Sequence, residues 1–278
     1  MDNPVVDPTV PELIDIWEEG LRAVIAVCEP LTDAQWRAQT PCPGWSVADV
    51  VAHTIDIEQV LAGSPRPDHV PDWDAASHVT GDFNRFTEVG VDYRRSQPKD
   101  AVLAELADTM AVRRAQLDAV PEGVPVVGPM GNETSLERLL RVRTFDVWVH
   151  EQDIRAAVGA DGDWDTNPAL IAFQQMTRAV PVIWARDVKA PAGSVASIRV
   201  TGPGITGEVH ARVDEDGHGH AVEPVDEPDV RITASWPDFM ALAAGRVDPS
   251  DPVVRSRLEA SGDPALTDAL LDELAMTP

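Results

Sequence analysis

Two segments with helical periodicity carry ionisable side chains on faces that a helix ordinarily buries. The first, Pro43-Gly-Trp-Ser-Val-Ala-Asp-Val-Val-Ala-His53, places His53 inside an otherwise apolar helix. The second, Arg143-Thr-Phe-Asp-Val-Trp-Val-His-Glu-Gln-Asp153, puts Asp146, His150 and Asp153 within about 60° of one another at about 100° per residue. Leu139, Val142, Val149 and Ala157 share that stripe. Burying two acids and imidazoles costs several kcal/mol unless they are paired or bind a metal. The pattern therefore calls for a metal site between two helices, or for a buried Asp-His or Asp-Arg pair involving Arg143 with no metal.

Under the metal reading, Asp146 and His150 stand four residues apart and project to one point, as the His pairs of zinc proteases do. His53 then completes a set of three mixed ligands, the catalytic zinc pattern with one position open. Asp153, one turn beyond His150, is placed to accept a hydrogen bond from a ligand imidazole. Asp56 is either a similar partner for His53 or a solvated acid. Cys42 precedes the helix and reads as a loop or packing thiol. His210, His218 and His220 lie farther on, and the Asp216-Gly-His-Gly-His220 run resembles a hairpin tip more than a ligand set.

The first half of the chain is helical. Thr9 and Glu12 form a capping box, with Leu13, Ile16, Trp17, Leu21, Val24 and Cys28 at helical spacing up to Pro30. Ser46 and Asp49 cap a second helix that ends at Gly63, and a Pro- and Asp-rich loop follows (64–74). A less regular helical pattern runs from about Ser77 to Arg95, and Pro98 opens the third long helix. Thr134 with Glu137 caps the fourth, Leu136 to Val158, stopped by Gly159. Four long helices imply a bundle, a fold that builds metal sites from facing helices.

After a further helix from Pro168 to Arg186, the period changes. Ser194–Thr201, Gly207–Val213 and Asp229–Ala234 alternate apolar and polar residues, and two helices close the chain near 237–244 and 264–275. The expected fold class is α plus α+β, with a helical bundle at 1–189 and a small α+β domain at 190–278. Every strand is expected after about residue 190.

With 278 residues, 44% of them hydrophobic, the chain can bury a substantial core. Its formal charge of −25 excludes nucleic acid and anionic membrane as partners by repulsion. No apolar run matches a membrane span, and Met1-Asp-Asn-Pro4 is unlike a signal peptide, so a cytoplasmic protein is expected. Two cysteines, Cys28 and Cys42, cannot form a disulfide framework. No phosphate loop, nucleophile elbow or Cys-x-x-Cys pair is present.

The stretch Thr40-Pro-Cys-Pro-Gly-Trp-Ser-Val-Ala-Asp-Val-Val-Ala-His53 strongly resembles the second-helix signature of the mycothiol-dependent maleylpyruvate isomerases, a branch of the DinB-like metalloproteins. The segment from Asp146 to Asp153 resembles that family's other ligand segment. The chain from about 190, with Trp236-Pro-Asp-Phe-Met-Ala-Leu-Ala-Ala-Gly-Arg246 as its clearest piece, resembles the sterol-carrier-protein-like domain that follows the bundle.

The resemblance implies a divalent ion, usually zinc, held by His53, Asp146 and His150. It also implies mycothiol, a thiol of actinobacteria, as co-substrate for isomerising maleylpyruvate. The family carries Glu where this chain has Asp146. The shorter carboxylate implies closer helices, a different binding mode, or a bridging water. Arg246 is the candidate contact to an anionic substrate, its other reading being a helix-end salt bridge. The expected function is a metal- and thiol-dependent isomerase or S-transferase acting on a small electrophile, as a monomer or homodimer. The alternative is a non-catalytic metal- or ligand-binding or regulatory protein on the same scaffold.

Overall fold

The computed structural model describes residues 7–277, so the N-terminal segment Met1–Pro4 read above lies outside the described residues. Two compact units divide the chain after Gly162. The boundary expected at 189/190 is thus displaced, because the helix after Gly162 buries its apolar side against the sheet that follows it.

The helical unit contains α1 (Val10–Cys28), α2 (Asp33–Trp36), α3 (Val47–Leu61), α4 (Gly81–Arg94), α5 (Lys99–Asp118) and α6 (Leu136–Val158). The Thr9–Glu12 capping box forms as expected, as does the one between Ser46 and Asp49. Helix α6 is capped by Ser135 rather than by Thr134: the Ser135 hydroxyl accepts from Arg138 N–H at 3.2 Å. Its last turn closes on Gly159, at φ 67°.

Helix α1 packs on α5 and α6, and α3 packs on α4, α5 and α6. Every residue from 49 to 58 is consequently buried, and α3 is surrounded rather than amphipathic. On α6, Leu139, Val149, His150 and Asp153 are buried, but Val142 is exposed, and from Val147 to Ile154 the helix is buried on every side, so its burial does not follow one stripe.

One expectation fails outright. β1 (Val126–Val127) pairs antiparallel with β2 (Glu133–Thr134), long before residue 190. Pro125 and Pro129 forbid a helix between α5 and α6, and the β-branched valines take the extended form. The hairpin occupies a connection and displaces no helix. An isolated bridge, Gln39 to Ser46, also precedes α3.

In the second unit, α7 (Asn167–Val182) runs into a π turn, Ile183–Asp187. Pro181 lies inside the helix and lacks the N–H that an α-helical bond would use. Five strands follow: β3 (Val195–Thr201), β4 (Gly207–Val213), β5 (Gly219–Val222), β6 (Val230–Ser235) and β7 (Glu259–Gly262). Their order is β5-β4-β3-β6-β7, with only the β3–β6 pair parallel. Strands β5 and β7 were not foreseen: each has four residues, too few to show a period. Helices α8 (Trp236–Ala243), α9 (Pro252–Arg255) and α10 (Pro264–Asp272) complete the unit.

Candidate metal centre

His53, at the middle of α3, meets Asp146 and His150 of α6. The three offer ligand atoms within 4.8 Å of one another. His53 Nε2 lies 3.7 Å from Asp146 Oδ2, and His150 Nε2 lies 3.8 Å from Asp146 Oδ1. The two imidazole rings stand 5.0 Å apart between centroids, nearly perpendicular. Both contacts to Asp146 are too long for hydrogen bonds. Two donors on one tetrahedral ion at about 2.1 Å lie about 3.4 Å apart, close to these separations. The shorter Asp146 side chain still sets its two carboxylate oxygens 3.7 and 3.8 Å from the two rings. Its 29% side-chain exposure, against 5% for His53 and 9% for His150, makes it the solvent-facing edge of the cluster.

The ion pair foreseen as the alternative is also present. Arg143 donates to Asp146 Oδ2 at 2.7 Å and, through Nε, to Glu58 Oε1 at 2.9 Å. Glu58 is fully buried and accepts further bonds from Trp17 Nε1 (3.1 Å) and Arg113 Nε (3.4 Å). This node ties α1, α3, α5 and α6 together behind the site. Burial drives the His53 pKa down, opposed by the Asp146 carboxylate. Burial also acts against charge on His150, but the Asp146 carboxylate and the bond to Asp153 prevail and raise it to about 10. For Asp146, burial is outweighed by the Arg143 guanidinium and His150, which hold it well below the ordinary carboxylate range. Without an ion, His150 is protonated at neutral pH and His53 is neutral.

The donor set fits a divalent ion. His53 Nε2 and His150 Nε2 both face Asp146, and neither is within hydrogen-bond distance of it. The separations to Asp146 leave a gap where an ion would bridge, and mixed imidazole and carboxylate donors suit zinc and its neighbours.

Asp153 accepts from His150 Nδ1 at 3.0 Å, the contact expected of it. Asp56 does neither thing expected: it is buried, salt-bridged to Arg66 at 2.7 Å, and 3.7 Å from Arg94. Arg246 belongs to the second unit, where its guanidinium donates to Ala244 O (2.6 Å) and Thr277 Oγ1 (3.2 Å), a helix-end arrangement.

Two site residues were missed by sequence reasoning. Trp45 lies against both histidines, 5.0 Å from His53 and 6.2 Å from His150 between ring centroids, with its Nε1 donating to buried Glu88. Cys42 places Sγ 3.1 Å from Asp153 Oδ2. Their shared motif, Thr40-Pro-Cys-Pro-Gly-Trp45, was the available signal.

Comparison with known proteins shows the family of the chain. The family described as mycothiol maleylpyruvate isomerase N-terminal domain matches residues 17–155, and the MDMPI C-terminal domain matches 171–269. The crystal structure of a mycothiol-dependent maleylpyruvate isomerase is similar at TM-score 0.56 and 14% identity, over 88% of this chain and 92% of that one. A histidine-to-alanine mutant of that enzyme gives TM-score 0.58 at 14% identity, over 93% and 95%. A sterol carrier protein 2-like protein from Aedes aegypti covers 36% of this chain and 93% of its own, at 18% identity and TM-score 0.28, too slight a likeness to carry an argument. No curated protein sequence matches significantly. With both of its domains matched in order along one chain, this protein belongs to the mycothiol-dependent maleylpyruvate isomerase family.

Proposed function

We propose that the protein is a divalent-metal- and thiol-dependent enzyme, isomerising a small electrophilic substrate or transferring the thiol to it, with mycothiol as co-substrate and maleylpyruvate as first candidate substrate. The observation that carries this reading is the convergence of His53, Asp146 and His150 at ion-bridging separations, with Asp146 half-buried at the edge.

In this reading His53 and His150 supply neutral nitrogens and Asp146 a carboxylate, and the ion is zinc or a similar cation. A divalent ion held by these three residues would lower the pKa of a thiol bound beside it and so would supply thiolate at neutral pH. Arg143 pairs with Asp146 and would offset part of that carboxylate's charge beside a bound cation. Asp153, by accepting from Nδ1, holds His150 as the tautomer with Nε2 free. The chemistry is redox-neutral. The thiolate sulfur bonds to one carbon of the activated double bond, whose electron pair moves into the conjugated carbonyl. Rotation follows about the resulting single bond, and elimination of thiolate restores the double bond as the trans isomer.

The Arg143–Asp146 bond of 2.7 Å favours a second reading, a non-catalytic binding protein, because it satisfies Asp146 without an ion. Elemental analysis of the purified protein, with thiol titration and assay on maleylpyruvate, separates the two. Full activity after removal of metal or thiol overturns the mechanism. Stoichiometric metal and thiol binding with no turnover leaves the site intact and favours another substrate.

A further inference from the structure

Cys42 sits in a loop whose geometry is unusually constrained. Pro41 and Pro43 flank it and fix two backbone torsions. Gly44 follows at φ 75°, with the His78 ring occupying the place a Cβ would take. Gln39 Nε2 donates to Cys42 O at 2.7 Å, Trp45 N–H donates to the same carbonyl at 3.2 Å, and Cys42 N–H donates to Thr40 Oγ1 at 3.3 Å. The thiol this loop presents is buried and donates to Asp153 Oδ2 at 3.1 Å. That same oxygen accepts from His150 Nδ1 at 3.0 Å.

We infer that Cys42 is a positioning residue of the metal centre, holding the Asp153 carboxylate so that it orients His150 with Nε2 turned toward Asp146 and His53. The inference rests on the metal-centre reading above. Cys42 lies on the Nδ1 side of the His150 ring, whereas the three-donor cluster lies on the Nε2 side, so one ion cannot take both Sγ and Nε2 without the ring turning over. A thiol is a weak donor in water, but two donors on one buried carboxylate oxygen leave that oxygen little freedom to rotate. The same loop carries Trp45 against both histidine rings, so one rigid turn sets the imidazole's partner and its packing together.

The test measures zinc and cobalt(II) affinity by chelator competition on the full chain for wild type, Cys42→Val, Cys42→Ser, Asp153→Ala and the Cys42→Val/Asp153→Ala double variant, with circular dichroism for fold. Valine keeps the volume and removes the donor, while serine keeps a donor. Cys42→Val is expected to lose about 10–100-fold in affinity, the range for groups that orient a metal's ligands. Cys42→Ser is expected to stay within a few-fold of wild type. The double variant is expected to be no weaker than Asp153→Ala alone, because both substitutions break one chain of bonds. A purely structural role would predict additive losses and no rescue by serine.

Wild-type affinity in Cys42→Val, or additive losses in the double variant, overturns the inference while leaving the metal centre standing. A thiolate-to-cobalt charge-transfer band in the wild-type protein without added thiol, absent from Cys42→Ser, overturns it differently by making Cys42 a ligand. Failure of wild type itself to bind either ion removes the metal-centre reading, and the role assigned to Cys42 with it.

Discussion

At the scale of single residues, the protonation of His150 controls what the site can hold. Its pKa is raised to about 10 because the Asp146 carboxylate and the Asp153 bond outweigh burial. A metal taking Nε2 must expel that proton. Below about pH 10, raising the pH removes the competing proton, so affinity is expected to rise by up to about tenfold per unit between about pH 6 and pH 9. Zinc affinity measured with a pH-calibrated chelator checks this, and a flat profile would mean that His150 is already neutral. The two thiols differ in setting. Burial pushes the Cys28 thiol up to about 12, so no thiolate forms there at neutral pH. In the native protein Cys28 should resist a small alkylating reagent and react once denaturant is added, as read by mass spectrometry of the alkylated peptides. Rapid native labelling of Cys28 would contradict its burial in α1.

Between elements, close approach is set by glycines. An added Cβ on Gly90 of α4 would fall 2.0 Å from the Asp56 carboxylate of α3, which Arg66 holds at 2.7 Å. On Gly219 of β5 it would fall 1.7 Å from the backbone carbonyl oxygen of Pro181 in α7. A carboxylate can yield slightly, whereas a backbone carbonyl inside a helix cannot. Gly219→Ala is therefore expected to destabilise more than Gly90→Ala, each by about 1–3 kcal/mol. Chemical denaturation of both variants tests the order, and an unchanged Gly219→Ala would refute the β5–α7 contact. The Glu58 node is the corresponding polar contact. Arg143→Met would leave Glu58 short of a partner in the core and release Asp146, costing about 3–5 kcal/mol of stability.

At the scale of the whole molecule, each cluster of candidate metal donors among the described residues lies between Asp7 and Gly162, and the Glu58 node lies there too. A fragment of residues 7–162 is accordingly expected to be helical and to bind one divalent ion, as shown by circular dichroism and elemental analysis. A fragment extended to residue 189 would expose the side of α7 formed by Ala169, Ile171, Ala172, Met176 and Val180, which the sheet otherwise buries. It is expected to aggregate where the shorter one does not, and the reverse result would restore the boundary near 190. Among the described residues no helix is long and apolar enough to cross a membrane.

Helix limits were legible in the chain because caps and stops act locally. Thr9 with Glu12, Ser46 with Asp49, and Gly159 each satisfy or release backbone groups within one turn. The donor types were legible as well, since a buried stripe bearing Asp146, His150 and Asp153 is an energetic anomaly wherever it packs. Short elements were not: the β1–β2 hairpin, β5 and β7 exist because a partner strand supplies their hydrogen bonds, and no period shows in two to four residues. Nor could periodicity tell that Arg143 of α6 also reaches Glu58 of α3, or that Cys42 reaches Asp153 from a loop more than a hundred residues earlier. Those contacts depend on how far apart α3 and α6 lie and on where the Pro-Cys-Pro turn rests against them. Side-chain packing across the whole bundle decides both quantities, and no local stretch of residues encodes them.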